Sequence, residues 1–169
     1  MRGKKIVFLN GESPMNITSI YHININCTNF ERSLAFYRML GFKEVVDFGE
    51  GTGPQMDGLK IPGARGRAKL LQLGDDPRSC HIDLIEWTDP KTEGRPYERL
   101  THAGIARVCL YSKNIWQDYE ELKSKGVEFY TEPTTIKYRG GQSLIVCFED
   151  PDGTVLELTQ FQRLEARRS

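Results

Sequence analysis

Charge excess, cysteine pairs and long apolar runs are all scarce in this sequence. Lysine plus arginine and aspartate plus glutamate number 23 each, so the formal net charge of the 169 residues is zero. Nucleic acids and anionic membrane surfaces ordinarily leave a basic excess in their partners, so neither is expected here. The four cysteines, Cys27, Cys80, Cys109 and Cys147, contain no CxxC pair, which removes the usual zinc knuckle. Cys27, Cys109 and Cys147 sit in apolar, strand-like runs, where buried free thiols are common, and a reducing, cytoplasmic location is expected. No GxxxxGK[ST] phosphate loop occurs, and no spacing points to a Ser-His-Asp or Cys-His nucleophile. The N-terminal stretch MRGKKIVFLNGESPMN holds an apolar patch of only four residues, too short for a signal-peptide core, and nothing resembles a spanning helix.

What is present is an internal repeat. A shift of 85 residues lays His22 on Arg107, Asn29 on Asn114, Phe30 on Ile115 and Gly41 on Gly126. NFERSLAFYRMLGF and NIWQDYEELKSKGV thereby share an Asn turn, an apolar stripe and a terminal Gly. Phe30, Leu34, Tyr37 and Leu40 fall on one helical face, as do Ile115, Tyr119 and Leu122. Gly41 and Gly126 suit the left-handed position that ends a helix. Extended, β-rich stretches follow each helix: FKEVVDF, AKLLQLG and CHIDLIEW in the first half, VEFYTEP, SLIVCFED and TVLELTQF in the second. DPDG at 150–153 reads as the turn between the last two strands. GEGTGPQMDGLKIPGARG reads as a long Gly-rich loop.

Strand side chains alternate faces with period two. Ile23 and Ile25 share one face, opposite His22, Asn24 and Asn26. Val108 and Leu110 oppose Arg107, Cys109 and Tyr111. Ile82 and Leu84 oppose Asp83, and Leu156 and Leu158 oppose Glu157. The helices can cover the apolar faces. The other face then carries one ionisable group per strand: His22, Asp83, Arg107 and Glu157. Such groups in the middle of apolar strands are expensive to bury alone, so a meeting of the four is expected. His, Asp and Glu are divalent-metal ligands; a solvent-wetted, salt-bridged sheet face is the plainer alternative.

The stretches YHININCTNFERSLAFYRMLGF, HIDLIEW, GIARVCLYSKNIWQDYEELKSKGV and FEDPDGTVLELTQ resemble the vicinal oxygen chelate superfamily, which includes glyoxalase I, extradiol dioxygenases and bleomycin resistance proteins. The resemblance covers residues 18–161. It implies an α+β fold of two βαβββ modules, 18–88 and 103–161, forming a curved mixed sheet around a cavity. An N-terminal extension (1–17), a linker (89–102) and a C-terminal tail (162–169) complete the chain. Four strand positions supply metal ligands in metal-using members. Carried over, they are His22, Asp83, Arg107 and Glu157, where Asp83 replaces the more usual Glu or Gln and Arg107 replaces a histidine. Arginine has no lone pair to give a metal.

Two readings follow. A divalent metal (Fe, Zn, Mn, Ni or Co) is held by His22, Asp83 and Glu157, or the site is metal-free and Arg107 takes the electrophile's place, clamping a carboxylate or phosphate. The implied function is a small-molecule lyase, isomerase or dioxygenase that stabilises the enolate or oxyanion of a carbonyl-containing, anionic substrate. Its catalytic residues are Glu157 as general base with Arg107 and His22. Asn24, Asn26, Arg107, Tyr111, Tyr138 and Arg139 are the expected substrate contacts, and Arg65 and Arg67 are read as loop cations near the cavity mouth. His81 is read as a structural hydrogen-bonder, Trp87 and Trp116 as packing. The alternative function is a non-catalytic protein that sequesters an antibiotic or toxin. The resemblance also implies a homodimer.

Overall fold

The structure, a computed structural model, describes residues 16–162. The N-terminal extension and C-terminal tail expected from the sequence therefore lie almost wholly outside the described residues.

The chain builds the same unit twice. In the first, β1 (His22–Asn26) leads to α1 (Phe30–Met39), then β2 (Phe42–Gly51), a short turn of helix α2 (Gln55–Gly58), β3 (Arg65–Leu73) and β4 (His81–Asp89). The second runs β5 (Val108–Tyr111), α3 (Ile115–Ser124), β6 (Thr134–Tyr138), β7 (Gly141–Glu149) and β8 (Val155–Gln162). The strands form two four-stranded mixed sheets, ordered β1-β4-β3-β2 and β5-β8-β7-β6. In each sheet the first strand pairs parallel with the last, and the other pairs are antiparallel.

Local chemistry explains the helices. The side chains of Asn29 and Asn114 accept from the backbone N–H of Arg32 and Gln117, satisfying one orphan donor at each helix start. Phe30, Leu34 and Tyr37 are buried on α1, and Ile115, Tyr119 and Leu122 on α3. Gly41 and Gly126 end the helices at φ +95° and +89°. A Cβ at Gly126 would meet nothing within 4 Å, so an alanine there costs only backbone strain. Gly126→Ala is expected to lower stability by about 1 kcal/mol, read as a shift in the urea midpoint at unchanged slope.

Two elements differ from expectation. VEFYTEP does not form a full strand: only Phe129 bridges to Phe148, and the strand beside β7 is TTIKY at 134–138. Pro133 carries no N–H to donate to a ladder. The β-branched Thr134, Thr135 and Ile136 instead close a tight hairpin through Arg139 and Gly140, with Gly140 at φ +95°. Tyr138 and Arg139 thus sit at a hairpin tip. In the Gly-rich loop, β2 runs on to Gly51 with two irregularities in its pairing that bend it, and α2 tucks Met56 inward. Arg65 and Arg67 belong to β3. Arg67 pairs with Glu86 at 2.8 Å and Glu31 at 3.0 Å and lies 4.5 Å over the Phe30 ring, stapling α1 to its sheet.

The helix-covered faces of both sheets share one core, in which Phe148 meets Phe36 from the other module at 6.4 Å and Phe129 at 5.1 Å. The DPDG turn locks the modules together. Asp152 accepts from Thr28 N at 3.2 Å, Arg32 Nη2 at 2.7 Å, Ser33 Oγ at 3.1 Å and the Thr28 hydroxyl. Beside it the Tyr37 hydroxyl donates to buried Asp150 at 3.0 Å. Among the described residues no helix is long and apolar enough to cross a membrane.

Candidate functional site

With α1 and α3 covering one face of each sheet, the other face is left for ligands. In the first module the alternation holds. Ile25, Ile82 and Leu84 are buried in the core, while His22, Asn24 and Asn26 are exposed. Asp83 lies beside His22, with Oδ2 4.0 Å from Nε2. Its side chain is 16% exposed, yet its Oδ1 is buried with no hydrogen-bond partner. Burial raises the Asp83 carboxyl above the usual carboxylate range, and His22 offsets this only in part. Asn24 Nδ2 donates to the Asp83 carbonyl at 3.0 Å, and Trp87 Nε1 donates to Asn26 Oδ1 at 3.0 Å. The two asparagines thus hold the floor in place.

Asp83 opens into a cavity of about 490 Å³ whose walls are mainly apolar, including Phe48, Met56, Leu59, Ile85 and Trp87. The wall is formed by bent β2 and by α2, so the Gly-rich segment acts as a roof. Gly66 permits close packing there: a Cβ on it would come within 2.9 Å of the Glu86 carbonyl. Sequence reasoning passed over Phe48, Met56 and Leu59, because nothing local says that this loop folds back across the sheet. Trp87, read as packing, lines the cavity instead. His81 is buried, with Nδ1 3.1 Å from the Tyr21 carbonyl, a structural hydrogen bond.

The open face of the second module has different chemistry. Arg107 Nε lies 2.7 Å from Glu157 Oε2, with the carboxylate 9% and the guanidinium side chain 44% exposed. Glu157 is flanked across the ladder by Cys109 on β5 and Cys147 on β7, and the Cys147 thiol lies 3.8 Å from Oε2. Burial, then the neighbouring Glu157, pushes the Cys109 thiol up to about 12. Burial first, and Glu157 next, also raise the Cys147 thiol. Both remain neutral thiols at physiological pH, unsuited to nucleophilic attack. Further along the same face, Tyr111 stacks on Phe161 at 5.8 Å and 27°, and both rings are mostly solvent-exposed. The pairing of Cys147 with Glu157 and of Phe161 with Tyr111 depends on strand register, which no local pattern gives.

The quartet expected to meet is therefore two pairs, His22–Asp83 and Arg107–Glu157, with no ion pair between them among the described residues. Among those residues no group of three or more His, Cys, Asp or Glu side chains is arranged to hold a metal ion. His22, Asp83 and Glu157 do not assemble as a ligand triad. Glu157 is engaged by a guanidinium that has no lone pair and whose charge repels a divalent ion. The donor set does not fit a resident metal.

Comparison with known proteins adds a lineage. The sequence profile of the Glyoxalase/Bleomycin resistance protein/Dioxygenase superfamily matches residues 19–158. The protein YwkD of Bacillus subtilis (strain 168) is 30% identical over 147 residues, covering 85% of this chain and 98% of its own. A glyoxalase-family protein from Bacillus cereus superposes with a TM-score of 0.75 at 13% identity, covering 89% of this chain and 99% of that one. TnmS3, an antibiotic binding protein from Streptomyces sp. CB03234, superposes with a TM-score of 0.56 at 18% identity, covering 88% and 99%.

Proposed function

The chain belongs to the Glyoxalase/Bleomycin resistance protein/Dioxygenase superfamily, and from that premise we propose that it is an isomerase- or lyase-type enzyme moving a proton beside the carbonyl of a small organic substrate. Asp83 is the acid–base group. The observation that carries this reading is the Asp83 carboxyl, which lines a mainly apolar cavity and has one oxygen, Oδ1, buried without a hydrogen-bond partner. A buried polar atom left unpaired costs free energy, most of all when the group is ionised, so taking up a proton relieves this carboxylate. Burial also holds the carboxyl above its usual range, nearer the operating pH at which a general base works best. His22, 4.0 Å away, steadies the ionised form and offers a route for the proton to solvent.

This reading moves the base from Glu157 to Asp83, because Glu157 already faces Arg107. Arg107 does not line the Asp83 cavity and takes no part in this step. The chemistry asks nothing of a metal.

The test is proton NMR in D2O. Pyruvate, 2-oxobutyrate and phenylpyruvate are incubated with the protein, and loss of the C3 proton signal is followed against buffer alone. Catalysed deuterium wash-in is expected for at least one of them, with a rate that rises with pH through an apparent pKa above the ordinary carboxylate range. Rates equal to buffer for every compound would sink the reading.

A second reading, a sequestering protein without catalysis, draws on the exposed Tyr111–Phe161 stack and on the likeness to TnmS3. Saturable binding of an aromatic compound with no exchange at any carbonyl-adjacent position would favour it.

A further inference from the structure

We propose that Arg107 and the Tyr111–Phe161 stack form an anchoring subsite for a planar aromatic ring that bears a carboxylate. The inference rests on the function proposed above only in taking the ligand to be a small molecule. It concerns the open face of the second sheet, away from the Asp83 cavity walls.

Four large apolar side chains lie solvent-exposed on or beside that face: Tyr111 (59%), Phe161 (62%), Tyr138 (48%) and Ile136 (42%). Alternation from the paired positions Tyr111↔Thr159, Ile136↔Ser143 and Ser143↔Phe161 places them on the side opposite Leu110, Leu144 and Leu158, which face the core. A contiguous exposed aromatic patch of this kind marks an interaction site, and the cation beside it favours a small anionic ligand as the occupant. Tyr111 and Phe161 already lie nearly parallel, so they present a flat edge for a further ring.

The anion end follows from Arg107. Its Nε is held by Glu157, and no other acceptor among the described residues contacts the guanidinium. The paired Nη groups are left to grip a carboxylate in bidentate fashion. Glu157 lies behind the guanidinium with a side chain only 9% exposed, so an incoming anion meets the cation rather than the carboxylate. Cys109, midway between Arg107 and Tyr111 on the same face, keeps its proton and adds no negative charge. Arg107, just before β5, and Tyr111 are four positions apart, roughly 13 Å along extended chain at about 3.3 Å per residue. An aryl acid of one or two rings with a short tether spans that gap once the long arginine side chain leans toward it.

The test is a titration by calorimetry at low salt with two matched pairs: 2-naphthoate and 2-naphthamide, and 3-(2-naphthyl)propionate and its amide. The wild type is expected to bind at least one acid about tenfold more tightly than its amide. Arg107→Gln alone would strand the buried Glu157 carboxylate, so the informative variant is the double replacement Arg107→Gln with Glu157→Gln. Once its thermal melt shows a folded protein, it is expected to lose the acid-over-amide preference. Tyr111→Ala is expected to weaken acid and amide by a similar factor.

Equal affinity for acid and amide in the wild type, no saturable binding of any acid, or a preference that survives the double replacement would overturn the subsite. The titration needs no turnover. Aryl acids that bind with the expected preference, together with buffer-level exchange for every keto acid, would sink the enzyme reading and leave this one standing. Exchange without an acid preference would do the reverse.

Discussion

Replacing Asp83 by asparagine is expected to lower the catalysed deuterium exchange beside a carbonyl about a hundred- to ten-thousand-fold, the range a positioned general base supplies. Asparagine keeps the shape of the side chain and removes only the ability to take the proton. The fold should survive, because the Asp83 carboxylate has no hydrogen bond to lose at Oδ1 and lies 4.0 Å from His22 at Oδ2. The pH dependence of stability gives a second readout. The folded-state pKa of Asp83 is raised, first by burial, so the folded protein disfavours the ionised form. That penalty is absent below the unfolded-state value near pH ~3.9 and grows as pH rises through the raised folded value. Asp83→Asn should therefore lose this part of the slope, and its urea midpoint should gain on the wild type as pH rises from 4 toward 7. Exchange at wild-type rate in this variant would remove Asp83 from the chemistry, whatever the stability curve shows.

Asp152→Ala is expected to destabilise the protein by about 3 kcal/mol, because it strips several charge-assisted hydrogen bonds, one of them also an ion pair, from a part-buried joint. A drop of roughly 6–12 °C in the melting temperature corresponds to that loss in a chain of this size. The partners span the modules: Thr28, Arg32 and Ser33 come from the start of α1, and Asp152 from the turn between β7 and β8. Asp152→Asn keeps the acceptor oxygen but not the charge and should cost less.

Burial alone would raise the Asp152 carboxyl, but donation from Thr28 and Arg32 outweighs it and holds the group below its usual range. A lowered folded-state value contributes stability above the unfolded value near pH ~3.9, and that contribution is lost as pH falls through the folded value. The gap between wild type and Asp152→Ala should therefore be widest near neutrality and close in acid. A gap of constant size down to pH 2, read by urea titration, would show that the charge of Asp152 does not hold the joint.

Much of this molecule is legible in its sequence. Asn29 and Gly41, repeated as Asn114 and Gly126, mark both helices because caps act within one turn of chain. Period-two alternation separated Ile25 from His22 and Leu156 from Glu157, since it follows from the geometry of a single strand. TTIKY was missed in favour of VEFYTEP: both have strand-like composition, and only pairing with β7 chooses between them. The metal triad was one of two readings carried over from the family resemblance, the other being a metal-free site with Arg107 in the electrophile's place. Strand position tells which face a side chain occupies, not which neighbour claims it, and Arg107 claims Glu157.

By itself, then, the sequence determined the duplicated strand–helix–strand plan, the helix ends and the face on which each ionisable group stands, because spacings of two and 3.6 residues are enforced by bonds close in the chain. Tertiary structure alone decided that Asp83 carries an unpaired oxygen under a roof of Phe48 and Met56. It also placed two cysteines beside Glu157 and tied Asp152 to Thr28 across 124 residues. Those outcomes depend on which strands lie side by side and how deeply each group is cut off from water. Both are properties of the packed whole, set by contacts between residues far apart in the chain.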